Sequence, residues 1–186
     1  MIKKNSLLFI AMLFSMIFAE TVFAWTYDIS LGYGRSKETS CDYYQQGVML
    51  DFQAFPFAKL DKTLLFGFGA SLADWRADTS ENKNMMTAAV SAIFRAYFVP
   101  PTEAAKFRPY LSASFGPTYL SSRKFGEREQ GSNFSFQTTL GIGSEVKFGQ
   151  KELNFSLKLV HYCNGGIFKP NQGIDIWYIF SIGYLF

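Results

Sequence analysis

The sequence contains a single histidine and only two cysteines in 186 residues. Chemistry that needs an imidazole therefore has one address, His161. Beyond the first two dozen residues no apolar stretch approaches the ~20 residues that a spanning helix needs, which excludes a polytopic helical membrane protein. The net charge of +3 is spread along the chain without a basic stripe, so nucleic acid is not an expected partner. No internal linker is visible, and the length suits one small domain. The glycine pairs Gly32/Gly34, Gly67/Gly69 and Gly141/Gly143 have no helix behind them, so they are not phosphate-binding loops.

The N-terminus has a specific pattern. Lys3 and Lys4 precede an apolar run from Leu7 to Ala19 and a small-residue site at Val22-Phe23-Ala24. This reads as a secretory signal peptide over residues 1–24, with the mature domain, residues 25–186, starting at Trp25. No cysteine lies near that site, which argues against a lipoprotein.

The remaining chain is hydrophobic at 48% and rich in aromatics at 18%, and its apolar residues recur with a period of two. Trp25, Tyr27, Ile29, Leu31 and Tyr33 share one face against Asp28, Ser30 and Gly32. Phe66, Phe68, Ala70 and Leu72 oppose Gly67, Gly69 and Ser71, and Ala88, Val90, Ala92 and Phe94 oppose Ser91 and Arg95. Eight such segments follow one another, the last from Ile174 to Phe186. A sandwich would bury the apolar faces and expose the polar ones; a membrane barrel does the reverse. The export signal, the long strands, the terminal phenylalanine and the interior-type residues Asp28, Asp51, Arg95, Glu145 and Lys158 favour an all-β fold, an eight-stranded antiparallel transmembrane β-barrel.

In that reading the connections near 58–62, 100–106 and 149–152 are periplasmic, and those near 37–43, 77–83, 123–131 and 165–172 are extracellular. Arg95, Lys158, Asp28 and Glu145 are candidates to pair in the lumen. Trp25, Tyr27, Tyr184 and Phe186 would form the periplasmic aromatic girdle, and Tyr43, Tyr44, Trp75, Tyr119 and Trp177 the outer one.

Against this architecture, His161-Tyr162-Cys163-Asn164 stands out near the outer end of the seventh strand. Side chains two apart share a face, so His161 and Cys163 stand side by side as base and nucleophile. They continue the apolar row Leu153, Phe155, Leu157, Leu159 and hence project toward lipid. A hairpin through Pro170-Asn171-Gln172-Gly173-Ile174 brings Asp175 back within reach. In the eighth strand Asp175, Trp177 and Ile179 share a row that Ser181 and Gly183 continue, which implies either a bulge or an inward-facing Asp175.

These residues resemble the His-x-Ser-Asn signature of the PagL-type lipid A 3-O-deacylase family of outer-membrane barrels, with an acidic residue at the position of Asp175. Cysteine stands here where the family has serine, and aspartate where glutamate is expected. The resemblance implies removal of the 3-position acyl chain of lipid A, without metal or cofactor, in the outer membrane of a Gram-negative bacterium. The partner is lipopolysaccharide of the outer leaflet and its neighbouring lipids. In the implied mechanism His161 deprotonates Cys163, an acyl-enzyme forms, and Asp175 fixes the imidazole tautomer. Asn164 and Gly166 are the candidate oxyanion or substrate contacts; the alternative for Asn164 is a turn residue ahead of Gly165-Gly166.

Two other readings stay open at this point. The serine-to-cysteine change is compatible with a non-catalytic structural or adhesive barrel descended from such an enzyme. A Cys41–Cys163 disulfide would make the segment a structural staple or a redox-controlled site.

Overall fold

The computed structural model describes residues 25–38, 42–56, 63–99 and 105–186. The predicted signal peptide and Cys41 lie outside these residues. Eight long strands, β1 (Thr26–Lys37), β2 (Tyr44–Phe55), β3 (Leu64–Ala77), β4 (Asn84–Tyr97), β5 (Phe107–Leu120), β8 (Phe134–Phe148), β9 (Lys151–Cys163) and β10 (Ile174–Leu185), form one closed barrel. Neighbours are antiparallel throughout, and β10 closes on β1 with Asp28 opposite Leu185. The short strands β6 (Lys124–Phe125) and β7 (Arg128–Glu129) form a hairpin inside the β5–β8 connection. Sequence periodicity cannot show a strand of two residues.

Closure removes every sheet edge, so each strand needs only two faces, and the alternation read from the sequence assigns them. Leu31, Phe68, Leu72, Val90, Leu140 and Ile182 are exposed on the outer wall. The alternate residues fill the lumen in three tiers. Midway, Lys158 meets Asp51 at 2.6 Å, and nearer the rim that carries both termini Arg95 donates to Asp28 at 2.9 Å and to Glu145, so the expected lumenal ion pairs form, with Asp51 taking Lys158. Toward the rim that carries both termini, Phe55, Leu65, Ile93, Tyr97 and Tyr110 pack together. At that rim Trp25 stacks on Tyr27, and Tyr27 on Phe186, as the girdle assignment predicts.

The opposite rim, which carries the longer loops, is plugged rather than open. Tyr43, Trp75, Met85, Phe125, Tyr162, Ile174 and Ile176 form a buried apolar cluster, with Phe125 brought in by the β6–β7 hairpin. Trp75 donates its indole N–H to the Tyr162 hydroxyl at 3.1 Å. Two expected girdle residues are therefore corrected. Trp75 sits in the inward phase of β3 with Ala73 and Ala77, and Tyr43 folds over the lumen ahead of β2, while Tyr44, Tyr119 and Trp177 do face outward.

Candidate functional site

His161 and Asp175 are direct partners across the β9–β10 ladder. His161 Nδ1 lies 2.7 Å from Asp175 Oδ1, and the two side chains are 35% and 26% exposed on the outer wall. Direct pairing explains why the shorter aspartate suffices. Residues opposite one another in an antiparallel ladder have Cβ atoms only about 4.5–5.5 Å apart.

A β-bulge decides which way Asp175 points. The β9–β10 register shifts between Ile176 and Ile179, and Tyr178 adopts φ 60°, a left-handed conformation uncommon for a non-glycine residue. Trp177 and Tyr178 are both outward, so Ile174 and Ile176 point inward on one side of the bulge and Ile179, Ser181 and Gly183 on the other. Asp175 is thereby outward, beside His161. Above the bulge the β1–β10 ladder has stopped at Gly34↔Ile179, and side chains take over. Ser36 Oγ accepts the Trp177 N–H at 3.2 Å, and the buried Gln45 amide donates to the Asp175 carbonyl.

Cys163 follows two positions after His161 on the same outer row, partly exposed and with a free thiol. No hydrogen bond joins it to the imidazole. The Nδ1 bond to Asp175 leaves Nε2 as the nitrogen that can serve a nucleophile. In β8, Thr138 stands opposite His161 and Phe136 opposite Cys163. The Cys41 pairing considered from the sequence concerns a residue outside those described.

The loop 164–173 is tied from within. Asn164 is fully buried; its Nδ2 donates to the Phe168 carbonyl at 2.6 Å and the Pro170 carbonyl at 3.3 Å. Its Oδ1 accepts the Gly166 N–H at 3.0 Å. In Asn164 and Gly166, the candidate oxyanion or substrate residues, the side-chain amide and the N–H respectively take their hydrogen-bond partners within the loop. Gly165 and Gly166, with φ of 67° and 77°, provide the left-handed backbone of that turn. Asn171 Oδ1 accepts the Asn164 N–H at 2.9 Å, while the exposed Nδ2 of Asn171 has no protein partner.

The β6–β7 hairpin braces this loop from outside. Gln130 bridges Asn171, the Gln172 N–H donates to the Glu129 carbonyl at 3.0 Å, and the Glu129 N–H donates to Gln172 Oε1 at 2.8 Å. The brace places Gly173 against the imidazole; a Cβ there would come within 2.6 Å of His161 Cε1. The sequence places Asn171 and Gly173 in the hairpin ahead of Asp175 but gives them no individual role, because Asn-x-Gly spacing there is ordinary turn chemistry. Among the described residues no group of three His, Cys, Asp or Glu side chains is placed to hold a metal ion.

Comparison with known proteins gives this arrangement a context. The family model of lipid A 3-O-deacylase (PagL) matches residues 8–184. The lipid A deacylase PagL of Pseudomonas aeruginosa is 28% identical over 90 residues, 48% of this chain and 50% of that protein. The lipid A deacylase PagL of Bordetella bronchiseptica is 35% identical over 69 residues, 37% of each chain. The matched segments thus span half or less of these curated relatives. Among solved structures, the outer-membrane enzyme PagL superposes with a TM-score of 0.56 at 17% identity, covering 86% of this chain and 97% of that one. Neisserial surface protein A superposes with a TM-score of 0.54 at 11% identity, covering 86% and 95%. Those two likenesses establish the fold of an eight-stranded outer-membrane barrel. With a family match that runs nearly from end to end, the chain belongs to the lipid A 3-O-deacylase (PagL) family.

Proposed function

We propose that this barrel hydrolyses the 3-O-linked acyl ester of lipid A, with Cys163 as nucleophile, His161 as general base and Asp175 as its orienting partner. The observation that carries the proposal is the His161–Asp175 pair on the lipid-facing wall. A bulge is needed to put the carboxylate there, and a lumenal ion pair would not need one. The loop rim faces the outside of the cell, so the pair lies at the level of the outer leaflet. A lipid there keeps its acyl chains along the wall and presents its ester linkages near the rim.

In the first step His161 Nε2 takes the thiol proton as Cys163 Sγ attacks the ester carbonyl. The tetrahedral oxyanion collapses, the sugar oxygen leaves with the proton from His161, and the acyl chain remains as a thioester on Cys163. His161 then takes a proton from water, which attacks the thioester. The second tetrahedral intermediate expels the sulfur, Cys163 regains its proton, and a free fatty acid departs. Asp175 accepts the Nδ1–H, so Nε2 is the nitrogen that takes up and then returns the proton in each half-reaction. Asn171 Nδ2 is the uncommitted donor for the oxyanion, held by its Oδ1 on the Asn164 backbone. Asn164 and Gly166 act through that loop.

Purified barrel in detergent micelles is expected to release free 3-hydroxy fatty acid from lipid A, measured by mass spectrometry. A folded barrel with a free thiol that releases none would favour a non-catalytic structural or adhesive barrel. Gly173→Ala provides an internal check on geometry. The added methyl must displace the imidazole, so kcat is expected to fall at least about tenfold with little change in KM and a barrel that still shows the heat-dependent gel shift of a folded protein.

A further inference from the structure

Of the three site residues, Asp175 has the least support from the sheet. His161 and Cys163 on β9 have ladder partners in β8, Thr138 and Phe136, and His161 pairs with Asp175 on its other side. Asp175 has one ladder partner, His161, because the β1–β10 ladder ends at Gly34↔Ile179, below the bulge. Tyr178, with φ 60°, lies in the stretch of β10 that β1 no longer supports. A residue in that conformation persists only where its surroundings hold it. Something besides the ladder must therefore keep this end of β10, and with it the Asp175 carboxylate, in place.

The hold comes from the inner faces of β1 and β2. Ser36 and Gln45 are direct cross-strand partners, and both are buried. Ser36 takes the Trp177 N–H and Gln45 Nε2 donates to the Asp175 carbonyl, so the two side chains grip β10 on either side of Ile176. Gln45 makes this bond from β2, across the end of β1. Its Nε2 also faces Glu38 Oε2 at 3.4 Å, and Glu38 Oε1 accepts from Arg128 at 2.8 Å. Both partners of Nε2 are acceptors, which fixes the orientation of the amide; a carboxylate in its place would face two acceptors. Arg128 belongs to β7, so the hairpin that braces the loop 164–173 also anchors this chain of contacts.

We infer that Gln45 is a positioning residue, which acts through the Asp175 backbone and keeps the carboxylate on Nδ1 of His161. Its part in catalysis rests on the deacylase reading. Because the chain has one histidine, a tag-free barrel with isotope-labelled histidine in micelles gives NMR signals from one imidazole. The shifts of its ring nitrogens, read through the ring C–H protons at a pH where the ring is neutral, report which nitrogen carries the proton. The parent is expected to hold it on Nδ1 and Asp175→Asn on Nε2. Gln45→Met keeps the length of the side chain and loses the donor. It is expected to give a mixture of the two tautomers and to lower kcat about tenfold while KM stays within about twofold. Gln53→Met, which removes a lumenal amide that serves Arg95, is expected to leave both readouts unchanged. If Gln45→Met does not fold, Gln45→Asn, one methylene short of the carbonyl, is expected to make the same two changes. Either readout unmoved in the folded variant of an active barrel overturns the inference. In a barrel that hydrolyses no ester, a tautomer that depends on Gln45 would keep it as the support of the pair and remove the deacylase reading, and an unmoved tautomer would overturn both.

Discussion

His161→Ala is expected to lower kcat for lipid A deacylation by on the order of 10³–10⁴-fold, with KM nearly unchanged. The chain has no other histidine to take over the proton transfers. The imidazole is on the wall, clear of the apolar plug, so its loss should leave the barrel folded. Asp175→Asn should fall nearly as far. The carboxamide can stay within 2.7 Å of Nδ1 but can present its N–H there, which favours the tautomer protonated at Nε2. Kinetics on lipid A in micelles give both values. Parallel losses in the two variants would mark the pair as one functional unit; a silent Asp175→Asn would show that the bulge orients nothing the reaction needs.

Arg95→Leu is expected to produce the largest loss of stability. Arg95, Asp28 and Glu145 are all about 1% exposed or less, and the guanidinium also donates to Gln53 at 2.8 Å while lying 4.4 Å from the Tyr110 ring centroid. Without it two carboxylates stay buried in the lumen with fewer donors. Breaking such a buried pair from one side costs about 3–5 kcal/mol. Urea unfolding followed by tryptophan fluorescence should show a lower midpoint. Asp28→Asn added to Arg95→Leu should recover part of the loss, because Asp28 then has no cation beside it, whereas Glu145 keeps Arg108 at 2.8 Å. A variant as stable as the parent would mean that water reaches the lumen and solvates both carboxylates.

Much of this was legible in the sequence because a barrel wall obeys a two-residue rule. The outward rows through Leu31, Phe68 and Leu140 and the lumenal charges Arg95, Asp28 and Glu145 follow from alternation alone. The same rule places Trp75 inside, since it shares its phase with Ser71 and Ala73; assigning it to the girdle followed residue type where phase was the better guide. Asp175 was ambiguous for a physical reason. The row that contains it changes face at Trp177 and Tyr178, and nothing in Ile-Trp-Tyr-Ile announces a positive φ. Asn164 was ambiguous in a different way. An asparagine before two glycines is suited to an oxyanion and to a turn alike, and the carbonyls of Phe168 and Pro170 that its amide meets are partners no residue spacing reveals. The hairpin at Lys124–Glu129 that braces Gly173 and Asn171 is built from hydrogen bonds between two loops, a form of order that leaves no periodicity.

The central claim is that a thiol on the outer wall performs the ester chemistry. Its most direct test compares the lipid A mass spectra of a host outer membrane carrying the intact barrel and one carrying Cys163→Ala at equal folded amounts. The account predicts loss of one 3-hydroxyacyl mass with Cys163 and an unmodified spectrum with alanine. Deacylated lipid A in both hosts, or unmodified lipid A in both, would contradict it.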